Sequence, residues 1–74
     1  MRLRAEMQAL LDSPIPEDGK QLRQLLGRAD EALRRSVFGI REAKSTETAM
    51  EVLRLHQRLR RKRIELFGEL KNGR

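Results

Sequence analysis

The stretch DGKQLRQLLGRADEALRRSVFGI, residues 18–40, decides the fold. Within it Leu22, Leu25, Leu26, Ala29, Leu33, Val37 and Ile40 recur at three- and four-residue intervals, which gathers them on one face of an α-helix. Asp18 is a capping residue, and Gln21 stands three positions later, at capping-box spacing. A helix over 18–43 follows. Gly39 either ends it early or lies inside it, since Arg41-Glu42-Ala43-Lys44 extends a helix readily.

Working outward from this helix, the preceding segment Ser13-Pro14-Ile15-Pro16 holds two prolines one residue apart, a stiff turn that no helix crosses. Before it, Leu3, Met7, Leu10 and Leu11 have helical spacing and predict a short amphipathic helix over 2–12. On the other side, Lys44-Ser45-Thr46-Glu47-Thr48 reads as a loop, and Thr48 with Glu51 has capping-box spacing. Val52, Leu53, Leu55, Leu59, Ile64, Leu66, Phe67 and Leu70 then predict a third helix over 48–71, stopped by Asn72-Gly73. About 24 residues at ~1.5 Å each span roughly 36 Å, long for a chain of this size.

The fold class is therefore all-α, a single helical domain. Helices two and three match in length and stripe and should form a long antiparallel hairpin, with the short N-terminal helix closing an end or edge. The chain has 74 residues, no cysteine and one histidine, His56, so neither disulfides nor a metal site reinforces its core. Each stripe also covers more than its neighbour can bury. Two hairpins pairing into a four-helix homodimer core answer both problems.

Catalysis finds little to work with. His56 lies on or beside the apolar stripe of helix three with no second histidine, no cysteine and no Ser-His-Asp order, so it reads as a structural residue. The five glycines are isolated, which leaves no phosphate-binding loop. Glu17-Asp18 and Asp30-Glu31 read as helix-start and surface charges. The expectation is a non-enzyme without cofactor or metal. No apolar run approaches the ~20 residues that cross a bilayer. Glu6, Gln8 and Asp12 interrupt any secretory signal, so a cytoplasmic location is expected.

Charge is the informative property. Lys and Arg number 17 against 11 Asp and Glu, a net +6, and residues 45–74 carry eight basic and four acidic side chains against nine and seven before them. Arg58-Leu59-Arg60-Arg61-Lys62-Arg63 holds five basic residues in six. On a helical wheel Arg54, Arg58, Arg61 and Lys62 form a stripe opposite Val52, Leu59 and Leu70, while Arg60 and Arg63 fall nearer the apolar side. Such a stripe is often only a solvated face, here partly balanced by Glu47, Glu51 and Glu65. The preference for arginine points further, because guanidinium makes bidentate contacts with phosphate. A short basic localisation signal is a third reading.

Single-stranded nucleic acid is usually held by stacking on aromatics, and this chain has no Trp or Tyr and only Phe38 and Phe67, both expected in the core. A rigid arginine-bearing helix suits the phosphates of a duplex, bound without sequence preference and with strong salt dependence. RNA is favoured over DNA, with Arg54, Arg58, Arg60, Arg61 and Lys62 as the nucleic-acid-binding residues.

In length, in its long second and third helices from about Gln21 to Leu70, and in the arginine-bearing helix from Arg54 to Arg63, the chain resembles the nodaviral RNA-silencing suppressors. That resemblance implies an all-helical viral protein of the host cytoplasm that dimerises through helical hairpins. It further implies shielding of double-stranded RNA from silencing enzymes, with Arg54, Arg58, Arg60 and Arg61 as contacts. The competing class is a small helical protein-interaction module, a chaperone, regulator or inhibitor, that lays an apolar stripe on a partner helix. A peripheral membrane role for the basic third helix lacks interfacial aromatics.

Overall fold

Each of the two long helices begins where a polar side chain takes a free backbone N–H. At Asp18 the carboxylate accepts from the Lys20 N–H at 3.2 Å, opening α2 (Gly19–Arg41). Gln21 is not the partner in that cap. At Ser45 the hydroxyl accepts from the Thr48 N–H at 3.2 Å, opening α3 (Thr46–Lys71). Thr48 was expected to be the cap. Ser45 displaces it because its extended backbone points the hydroxyl at the first turn, and Thr48 instead accepts the Ser45 hydroxyl proton at 3.0 Å. Gly39 lies inside α2, which runs to Arg41 and closes on the Glu42 N–H. With α1 (Arg2–Asp12), these elements make up a computed structural model that describes residues 2–72 and is all-helical. Asn72 caps α3 through its N–H to Gly68 O at 3.1 Å, whereas Gly73 lies outside the described residues.

α2 and α3 run antiparallel: Asp30 pairs with Arg63 and Ser36 with His56, so the partner number falls as the α2 number rises. The buried α2 positions are Leu22, Leu25, Ala29, Ala32 and Ser36, a strict alternation of three and four. Those of α3 are Val52, Leu59 and Leu66, seven apart. Both are heptad seams of the kind that lets two helices stay in register over many turns. The result is elongated, 42 × 17 × 16 Å, with a radius of gyration of 12.9 Å. A compact domain of this length would have about 11 Å.

Of the two positions expected for α1, an end or an edge, it takes the edge. It lies along one side of the α2–α3 pair, with Leu3 and Met7 seated on Ala29, Ala32 and Leu59, and Leu10 reaching the second cluster of Leu22, Leu25 and Leu66. Small alanines form the seat because a third helix can approach the seam only where the side chains beneath it are short. Polar clips tie all three helix pairs. Arg35 donates to Glu6 at 2.7 Å, Arg4 pairs with Glu51, and Arg63 with Asp30.

Two glycines inside helices meet no constraint: a Cβ added at Gly27 or Gly68 would find no atom within 4 Å. Alanine there removes backbone freedom from the unfolded chain and improves helix propensity, so Gly27→Ala and Gly68→Ala should each stabilise by about 0.5–1 kcal/mol. Calorimetric melting of the double variant should show a Tm raised by several degrees. An unchanged or lower Tm would refute the open-space reading.

Candidate nucleic-acid interface

The basic residues of α3 divide by the side of the helix they occupy. Arg54 and Arg58 line a groove with Arg4, Ala5, Gln8, Glu51 and Leu55, on the flank beside α1. Arg58 and Arg61 continue along that flank to Pro14 and Ile15. All three arginines are exposed, and no carboxylate among the described residues pairs with them. Arg54 to Arg61 is about 10 Å along the axis. These three form one strip of guanidinium groups without an ion-pair partner among the described residues, with Glu51 and Glu65 lining the same grooves.

Lys62 does not belong to it. Its ammonium donates to the carbonyls of Leu11, at 2.8 Å, and Ser13, the free end of α1. The last turn of α1 has no basic residue of its own, so a cation from α3 supplies the charge that its terminal carbonyls favour. Burial pushes the Lys62 ammonium below its ordinary range, with Asp12 and Glu65 acting in the other direction. The wheel placed Lys62 on the stripe correctly in angle. Its withdrawal follows from where α1 ends, which periodicity does not carry.

Arg60 belongs to the opposite flank. It lines a groove between α2 and α3 with Asp30, Leu33, Arg34, Val37, His56, Arg63 and Ile64, to which α1 contributes nothing. There His56 bonds through Nδ1 to the Ser36 hydroxyl. That hydroxyl spends its single proton on Leu33 O at 2.7 Å, so Nδ1–H is the donor and Ser36 Oγ the acceptor. Burial first, and the Arg60 charge second, hold His56 below its usual pKa and favour the neutral ring. Ser36 is fully buried, which puts its hydroxyl out of reach of a substrate. Among the described residues no cluster of three His, Asp or Glu could hold a metal, and no helix is long and apolar enough to cross a membrane.

Phe38 and Phe67 are not core. They are 60% and 46% exposed, Ile64 is 67% exposed, and Val37 and Leu53 are exposed as well. Lys71 sits 5.9 Å over the Phe67 ring. The apolar stripes are wider than one neighbouring helix covers, and α1 covers only one of the two remaining sides. Phe67 follows Arg60 by seven residues and so shares its side of α3, away from the strip of Arg54, Arg58 and Arg61. No protein-family model, curated protein or solved structure matches the chain at a significant level.

Proposed function

We propose that the chain is a non-catalytic binder of duplex nucleic acid, RNA favoured over DNA, acting as a helical-hairpin homodimer. The strip of Arg54, Arg58 and Arg61 is its phosphate-contacting surface. The supporting observation is that these three arginines line one flank of a rigid helix without a carboxylate partner among the described residues, while Arg4, Arg35 and Arg63 are paired. Unpaired guanidinium groups on a fixed scaffold hold their positive field open to a polyanion. Three contacts over about 10 Å engage few phosphates, and a two-fold pair carries two strips. Shielding of double-stranded RNA in the cytoplasm is the biological role that fits such sequence-tolerant binding.

Filter binding of duplex and single-stranded RNA and DNA across a salt series tests this. The reading expects affinity for duplex to fall steeply with salt and Arg58→Ala with Arg61→Ala to weaken binding equally on unrelated sequences. The double variant should also flatten the salt slope by about 2 per bound chain, with helicity unchanged. Salt-insensitive binding, or a preference for single strands carried by the exposed Phe38 and Phe67, would overturn it.

A further inference from the structure

The side of the α2–α3 pair that α1 leaves bare has a layered order. The Asp30–Arg63 pair sets the register, and counting from it places Leu26 level with Phe67, Leu33 level with Arg60, and Ile40 level with Leu53. Successive levels are seven residues, about 10 Å, apart. The outer levels are apolar: Phe67 and Leu53 are exposed, and Leu26 and Ile40 half-buried. The middle level is charged, with Arg60 beside neutral His56 and with Arg34 and the Asp30–Arg63 pair around it.

From this layering, and resting on the homodimer reading above, we propose that the bare side is the seat of a second copy of this chain, with the two-fold axis running along the helices so that each α3 lies over the partner's α2. Such an axis keeps every level opposite itself. Phe67 meets the partner's Leu26, Leu53 meets the partner's Ile40, and Arg60 lies over the partner's Leu33. Charge selects this arrangement. An axis across the helices would stack Arg60 on the partner's Arg60, two like charges on a half-buried surface. Along the helices, the Arg60 side chains separate diagonally, and each faces an α2 that carries Asp30 as well as Arg34. Asp30 uses Oδ1 for Arg63 and leaves Oδ2 for an arginine of the partner subunit.

Area agrees. The chain exposes 5451 Å², against roughly 4,700 Å² for a folded monomer of this mass; its elongated shape contributes to that excess of roughly 700 Å², which is of the order of the ~800 Å² per partner of a standard interface. Arg54, Arg58 and Arg61 lie on the flank beside α1 and stay uncovered.

The chain has no cysteine, so single cysteines report the pairing directly. Light scattering should give twice the 8.7 kDa chain mass, falling to one chain for Phe67→Ser with helicity retained. A mixture of Leu53→Cys and Ile40→Cys chains under oxidised glutathione should form a disulfide-linked pair. A mixture of Leu53→Cys and Phe67→Cys should not, because about 20 Å of helix separates those levels. A monomer at every concentration, as expected if this side receives a helix of another protein, overturns the proposal. Linkage in the second mixture does so too. The duplex reading fails separately, by loss of salt-dependent binding in a chain that keeps its doubled mass.

Discussion

Leu59→Ala is expected to lower the free energy of unfolding by about 3–5 kcal/mol, the upper part of the range for a buried leucine. Leu59 has no exposed surface and is the one buried α3 residue in the cluster that joins Leu3 and Met7 of α1 to Ala29 and Ala32 of α2, with partly buried Leu55 beside it. Its truncation removes contact with all three helices at once. The hole cannot collapse readily, since the buried α2 residues there are the short Ala29 and Ala32, with Leu33 only partly buried at the edge, and the Asp30–Arg63 pair holds α2 and α3 in register nearby. A 74-residue domain has a total stability of about 4–11 kcal/mol, so the variant loses a large fraction of it. Urea unfolding followed by far-ultraviolet circular dichroism should show a much lower midpoint at an unchanged m-value. A loss under about 1 kcal/mol would mean that the three helices do not share this residue.

Ala32→Leu comes next, at about 2–4 kcal/mol, and acts by the opposite route. Ala32 is 3% exposed and forms part of the seat for Leu3 and Met7. A larger side chain must either strain the α2–α3 seam, at about 1–3 kcal/mol, or lift α1 away. Lifting α1 forfeits burial of Leu3 and Met7, about 1.5–3 kcal/mol each, together with the Lys62 cap and the clips to Glu51 and Arg35. Lifting is the costlier route, at about 3–6 kcal/mol for the two side chains before the cap and clips are counted, so the seam strains first and α1 loosens with it as its seat is distorted. Melting should show a Tm lower by about 10 °C or more, and trypsin should cut after Arg4 faster than in the parent chain. A lowered Tm with unchanged cleavage would place the strain in the seam instead of at α1.

How far the residues alone reached is clearest at α3. Three- and four-residue spacing located the helix to within two residues of its start, because a periodic stripe is a property of local geometry. The same stripe listed eight apolar residues, of which only Val52, Leu59 and Leu66 are fully buried. Ile64, Phe67 and Leu53 face outward because the stripe is wider than the contact one antiparallel neighbour offers, and α1 took the other side. On α2 the stripe omitted Ala32 and Ser36, both buried. Alanine and serine carry little hydropathy signal, yet they sit where helices approach most closely. The arginine cluster was equally legible as a cluster and illegible as a site. Spacing grouped Arg54, Arg58 and Arg61, but the assignment of Lys62 to a helix end and of Arg60 to a second surface depended on where α1 lies.

By itself, then, the sequence determined that this protein is three helices of given lengths, the two long ones begun by polar caps, with a break at Pro14 and Pro16 and its surplus charge on the last helix. These are consequences of backbone hydrogen bonding and side-chain periodicity within a few residues. Only the tertiary structure decided which flank of α2 and α3 receives α1, and from that which arginines are spent on clips, which stand open, and which apolar side remains bare. The reason is steric: an eleven-residue helix has one seat, over Ala29 and Ala32, and choosing it divides every other surface residue between two unlike faces.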